Sequence, residues 1–234
     1  MSLPQWQEHL PAAKIVTAQV ALESIHNGCR VFIGTGCGEP QHLIHAMVAN
    51  GDNQDIIIYQ MFSHTLAQYV NNPDFVERFS LKLFFISEPM RKAVFEGKID
   101  YLPTYLSQIP RLFKSHRIGL DIALVQVSPP DEFGYCSLGV SVDITRSALE
   151  NAELVVAQVN PRMPRAWGDS FVHVDAIDFF VPYEEPLVTF DLNFLGDHIS
   201  RRIGHFISQL VRDGDTLQIG FGSLPNAILK HLVD

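Results

Sequence analysis

The sequence predicts an α/β fold with a mainly parallel sheet flanked by helices. Three observations carry this expectation. Strand-like apolar runs alternate with helical patterns along the chain, several of those runs are apolar almost throughout, and glycine-bearing loops follow strands. Alternation of this kind marks βαβ units, and continuously apolar runs fit parallel strands covered on both faces.

Residues 12–27 place Ile15, Ala18, Ala21, Leu22 and Ile25 at helical spacing, and Gly28 supplies a stop. "RVFIG" then reads as a strand and "PQHLIHAMVA" as a helix, with Pro40 in its first turn, where a missing N–H costs nothing. Further strands are expected at 55–59, 81–87, 121–127, 154–159 and 177–181, with helices over 88–96, 104–114 and 143–151. The polar, proline-bearing segment 182–193 is the best boundary. After it, "DHISRRIGHFISQLVRDG" patterns as an amphipathic helix ending at Gly214. The expected organisation is therefore an N-terminal α/β domain over 1–190 and the start of a second over 191–234.

Composition narrows the function classes. An apolar share of 47% in 234 residues supports a substantial core. A formal charge of −9 argues against nucleic acid as a partner, because phosphate backbones require a basic surface. Three cysteines without framework spacing point to reduced thiols and a cytoplasmic setting. No apolar run reaches the roughly 18 residues of a membrane helix, so no membrane partner is expected. The first residues also lack a secretory signal pattern.

The two ends of the chain echo each other. Gly28, Ile33, Gly34 and Gly36 recur at one constant offset as Gly214, Ile219, Gly220 and Gly222. After one deletion, Pro40, Leu43 and Met47 correspond to Pro225, Ile228 and Leu232. Two generic βα turns in one sheet would also yield paired glycine loops. A tandem duplication accounts for the ordered match across three elements, with the second repeat stopping after its first βα unit.

Each glycine loop lies between a strand and a helix N-terminus, where backbone N–H groups can hold a phosphate, a carboxylate or the oxyanion of acyl transfer. "GTGCGEP" has neither a dinucleotide fingerprint nor the Lys-Ser/Thr of a P-loop. A second candidate, "QVSPPDEFGYCSLGVSVD", leaves a strand through Ser128, Pro129 and Asp131 as a stiff loop that fits either a pocket wall or a structural turn. In a third, "NPRMPRAWGDSFVHVDAID", Arg162 and Arg165 can bind an anion or pair with Asp169 and Asp175, and His173 fits a structural role better than acid–base work. Cys37 with His42 and His45 would be an incomplete metal set. Cys136 with His173 would be a thiol–imidazole pair if folding brought them together.

Taken together, "VSPPDEFGYCSLGVSVD", "NPRMPRAWGDSFVHV" and "DGDTLQIGFGSLPNAIL" resemble blocks of the acetyl-CoA hydrolase/transferase family, the relatives of 4-hydroxybutyrate and butyryl-CoA:acetate CoA-transferases. The resemblance implies two similar α/β domains with the active site between them. It implies acyl-CoA and a small carboxylate as substrates, with coenzyme A as a substrate and no separate cofactor or metal. It further implies covalent catalysis by a glutamate that forms an acyl-glutamyl anhydride and then a glutamyl-CoA thioester, its oxyanions held by backbone N–H groups. That glutamate belongs to a "G-I-H-T-E-M"-like motif shortly after the second glycine loop, beyond Asp234, so this chain alone is expected to be inactive.

By the same resemblance, Gln218, Gly220 and Gly222 match positions near the nucleophile. Gly34, Gly36 and Pro40 match the first-domain loop, and Ser128, Pro129 and Asp131 match its pocket-side loop. Apolar surface on an incomplete second repeat would favour a homo-oligomer. Two other readings stand beside this one: a complete small enzyme of sugar-phosphate isomerase type, and a non-catalytic domain that binds a carboxylate or a partner chain.

Overall fold

The structure, a computed structural model, describes residues 5–189, 198–220 and 222–232. Its contacts divide into two compact units, Met1–Val188 and Thr189–Asp234. The first unit contains strands β1 (Arg30–Ile33), β2 (Ile56–Gln60), β3 (Phe79–Leu83), β4 (Asp100–Tyr101), β5 (Leu120–Val127), β6 (Tyr135–Ser137), β7 (Ala152–Val159), β8 (Phe171–His173) and β9 (Phe179–Pro182). Its helices are α1 (Ala18–Leu22), α2 (Gln41–Ala49), α3 (Pro73–Arg78), α4 (Arg91–Phe95), α5 (Ile109–Lys114) and α6 (Thr145–Asn151).

Seven strands form a wholly parallel sheet in the order β4-β3-β2-β1-β5-β7-β9, while β6 and β8 make a small antiparallel pair. Strand alternation divides the core between the two faces. Val31, Ile33, Ile58, Ile122 and Leu124 enter one apolar cluster with Leu22, Leu43 and Met47. Phe32, Ala123, Val125, Val127 and Val155 enter the other with Phe113, Ala148 and Val172. Burial on both faces explains why β5 is apolar almost throughout. Successive strands run outward from β1 to β4, and the chain then returns to the other side of β1 with β5. The strand order therefore reverses between β1 and β5, and ligands of open α/β sheets lie outside the C-terminal strand ends at such a point.

Several expected elements are shorter or shifted. The helix expected over 12–27 is a 3₁₀ turn at Ala12–Lys14 followed by α1. Between them Ile15 bridges to Phe180, and the Val16 N–H donates to the Phe180 carbonyl at 3.0 Å. The edge of β9 thus claims two β-branched residues, and Thr17 caps α1 by accepting from the Val20 N–H. The strand expected over 81–87 is β3, two residues earlier. It ends at Leu83 because its partner β2 ends opposite, at Gln60. The helices expected over 88–96 and 104–114 each begin with a 3₁₀ turn before α4 and α5.

The second unit contains α7 (His198–Ser208) and α8 (Ser223–Lys230). The helix expected to reach Gly214 stops at Ser208. Asp215 captures the Arg212 N–H at 2.8 Å, a donor that a continuing helix would need. The strand expected ahead of the Gly220–Gly222 loop in the second repeat has no ladder among the described residues. A strand requires a neighbour to receive its backbone hydrogen bonds, and the unit's described elements are both helices. The expected boundary segment 182–193 runs beyond the described residues after 189. No described helix is long and apolar enough to cross a membrane.

Candidate functional site

The loop after β1 sits at the reversal point of the sheet and is held from several directions. The Gly34 N–H donates to the Leu124 carbonyl of β5 at 2.8 Å, and the Gly36 N–H to the Phe62 carbonyl beyond β2 at 3.1 Å. Gly36 takes a φ of +56°, a backbone that side chains disfavour, and a Cβ on Gly38 would come within 2.9 Å of the Ser141 Cβ. The 141–143 loop closes over this turn. Asp143 Oδ2 accepts from the Thr35 hydroxyl at 2.5 Å and from the Ser141 hydroxyl at 2.8 Å.

Beneath the loop lies a buried polar layer centred on Glu39, which has no solvent exposure. One carboxylate oxygen accepts the His64 N–H at 2.6 Å and the Gln60 amide at 3.1 Å. The other accepts the Thr65 N–H at 2.7 Å. The Gln60 amide also donates to the Gly34 carbonyl, and Gln126 donates to the Glu39 carbonyl at 2.8 Å. Burial pushes the Glu39 carboxyl above its ordinary range, against the opposing pull of the Thr65 and His64 donors. Asn160 continues the layer to Gln126 at 2.7 Å and to the Glu185 carbonyl at 2.8 Å. The Glu185 carboxylate accepts from Gln158 at 2.6 Å and from the His42 N–H at 3.1 Å.

A carboxylate of the protein therefore occupies the N-terminal end of α2, where an unpaired N–H and the helix dipole favour negative charge. The His42 ring stacks on Tyr183 with centroids 3.6 Å apart, which fixes the segment that carries Glu185. Apart from His42, a candidate only as a metal ligand, none of these polar partners was among the sequence candidates. A signal for three of them exists: Gln60, Gln126 and Gln158 interrupt otherwise apolar strands near their C-terminal ends.

The sequence candidates fall into three places. Gly34, Gly36 and Pro40 lie in the loop after β1 and at the start of α2. Ser128, Pro129 and Asp131 follow β5, the neighbouring strand, so strand pairing brings both groups to one sheet edge. Ser128 is buried and its hydroxyl accepts the Ser137 N–H at 2.9 Å. Asp131 accepts the Phe133 and Tyr135 N–H groups and pairs with Arg165 at 2.8 Å. Arg165 also reaches the Tyr135 carbonyl, and the two line a cleft of about 490 Å³ with Trp167 and Phe171. Among the described residues, the side chains that bond the β1 loop come from Gln60, Gln126, Ser141 and Asp143 rather than from Ser128 or Asp131. Gln218, Gly220 and Gly222 belong to the second unit, where Gly222 precedes α8.

The rival constellations separate. Cys136 pairs across the small sheet with Val172, whereas His173 pairs with Tyr135, so the alternation of β6 and β8 puts the thiol and the imidazole on opposite faces. Cys136 is fully buried, and desolvation pushes its thiol up to about 12. His173 instead contacts Asp175 at 3.1 Å. The described residues contain no cluster of His, Cys, Asp and Glu suited to a metal, Cys37, His42 and His45 included. Arg162 pairs with Glu184 at 3.0 Å; Asp169 pairs with Arg146.

Known proteins share both this sequence and this architecture. The family model for the acetyl-CoA hydrolase/transferase N-terminal domain matches residues 5–190. The 4-hydroxybutyrate coenzyme A transferase of Clostridium kluyveri is 41% identical over 229 residues, covering 97% of this chain and 53% of the relative. A succinyl-CoA:acetate/propanoyl-CoA:succinate CoA transferase of Fasciola hepatica is 37% identical over 90% of this chain and 44% of its own length. RipA from Yersinia pestis superposes with a TM-score of 0.85 at 27% identity, over 97% of this chain and 55% of RipA. A 4-hydroxybutyrate CoA-transferase from Porphyromonas gingivalis gives 0.74 at 30% identity, over 97% of this chain and 53% of its own. The chain spans about half the length of the curated relatives it matches. The chain thus belongs to the acetyl-CoA hydrolase/transferase family.

Proposed function

We propose that this chain is the N-terminal part of an enzyme that moves coenzyme A between an acyl-CoA and a short carboxylic acid, or hydrolyses the acyl-CoA. The observation that carries the reading is the β1 loop. It is clamped by Glu39, Gln60, Gln126 and Asp143 at the one point of the sheet where strand order reverses, in a chain of this family. A loop fixed by four side chains does not reorganise when charge develops beside it, which is what stabilisation of an acyl-transfer oxyanion requires.

In the reaction proposed, a glutamate carboxylate attacks the thioester carbonyl, forming an acyl-glutamyl anhydride and releasing the CoA thiolate. The thiolate then attacks the glutamyl carbonyl, forming a glutamyl-CoA thioester and releasing the acid. Reversal with a second acid, or attack by water, completes the cycle. Gly34, Gly36 and Pro40 would form the first-domain wall of the site. Ser128, Pro129 and Asp131 would support a neighbouring wall, and Gln218, Gly220 and Gly222 would approach the nucleophile. No glutamate of this chain fills the nucleophile's role: Glu39 is buried and spent on holding loops.

The test is exchange of labelled acetate into acetyl-CoA. The 234-residue chain alone is expected to give none. The same chain continued by the second half of the Clostridium kluyveri relative is expected to exchange, and to lose exchange when the motif glutamate is changed to Gln. A folded fusion that binds CoA yet exchanges nothing would overturn the proposal.

A further inference from the structure

We propose that the cleft between α7 and the end of α8 binds a phosphate ester. His198, Arg201, Arg202 and His205 recur at helical spacing along one face of α7. Together with Phe206 and His231 they line a cleft of about 320 Å³. The chain carries a formal charge of −9, yet among the described residues this lining contains five basic side chains and no acid. His205 meets His231 edge-on with ring centroids 5.7 Å apart, so the two helices contribute to one cluster.

Arg201 and Arg202 are exposed, and neither has an ion pair or hydrogen bond among the described residues. Arg30, Arg78, Arg146, Arg162 and Arg165 each pair with a carboxylate; among the arginines that do not, Arg201 and Arg202 stand side by side on one cleft. Two free guanidiniums side by side offer forked donors matched to a phosphate's oxygens. His198 and Arg201 also stand in the first turn of an eleven-residue helix, where the dipole favours an anion. Gly204 is buried against Ala227 of α8, whereas Arg201, Arg202 and His205 are exposed, so packing of the helix pair leaves the basic face open. Phe206 adds an apolar surface at the cleft edge for a planar ring.

The shared chemistry is a phosphate group on an organic ligand. A nucleotide portion of coenzyme A and a free phosphorylated metabolite are two sources of it, and the inference does not depend on acyl transfer. Calorimetric titration of this chain at low salt would use inorganic phosphate, adenosine 3′,5′-bisphosphate, adenosine and pantetheine as probes. Both phosphate-bearing probes are expected to bind, and adenosine and pantetheine are not. A bisphosphate much tighter than phosphate identifies a nucleotide source, and equal affinities a simple phosphate.

Arg201→Gln with Arg202→Gln should weaken the bisphosphate by about tenfold or more, whereas the double lysine variant, which keeps the charge and loses the forked donors, should fall between the two. In the unmodified chain, the His205 and His231 ring signals should shift during the titration, a readout that needs no variant. Absence of phosphate-dependent binding, or binding that the double glutamine variant leaves unchanged, would overturn the proposal. Either result leaves the acetate-exchange test unaffected.

Discussion

Glu39 is the residue on which the β1 loop depends most. Removing its carboxylate as Ala would take away the acceptor of the His64 and Thr65 N–H groups and of one Gln60 donor in the interior. At about 1–3 kcal/mol for each of the three donors, Glu39→Ala should cost roughly 3–9 kcal/mol in urea unfolding. Glu39→Gln keeps the shape but turns one acceptor into a donor, and should cost less. Burial raises the folded carboxyl above its unfolded value. Such a group contributes its stability below the unfolded value of about 4.3, and that contribution is lost as pH rises through the raised folded value. The stability gap between wild type and Glu39→Gln should therefore be widest near pH 4 and shrink toward neutrality. A gap that widens with pH would show that the N–H donors, rather than burial, control the group. Glu39 was readable in the sequence only as one glutamate among several, because its role depends on the loop after β2, whose contact with it no local pattern encodes.

At the scale of elements, the β6–β8 pair decides what the cysteines can do. Tyr135, Cys136 and Ser137 alternate across the pleat, and alternation turns Cys136 into the core beside Leu138 and Val172. Burial raises the Cys29, Cys37 and Cys136 thiols alike. Cys37 alone is half-buried, so a disulfide reagent at pH 7 should label it slowly and leave the other two untouched until urea is added. Peptide mass mapping checks this, and native labelling of Cys136 would contradict the packing described. The parallel strands were legible because burial on both faces writes a continuous apolar run. The β6–β8 pair was not, since three-residue strands carry too little pattern to separate from a loop. The same limit hid the division of the first predicted helix. Its apolar spacing is helical, but Ile15 and Val16 are captured by β9, an element far along the chain.

At the scale of the whole molecule, the two units differ in how they are held. Among the described residues, the buried members of both apolar clusters lie between Leu10 and Val181, inside the unit Met1–Val188. The polar layer is likewise closed within it, ending at Glu185. In the second unit Gly204 and Ala227 are the buried residues of its described helices, while Ile199, Phe206 and Leu210 stand exposed. A segment of that size cannot exclude enough apolar surface from water to be stable by itself. The glycine echo was visible in the sequence, but a strand is realised only where a sheet receives it. The first copy lies between β2 and β5, and the second has no described strand beside it. A chain ending at Val188 should therefore unfold cooperatively with a Tm within a few degrees of that of the 234-residue chain. A peptide of residues 189–234 should show little helix by circular dichroism, since short helices without tertiary support are marginal in water. A large loss of Tm on truncation would mean that the core needs the second unit, and that the first unit is not the self-sufficient platform on which the site is built.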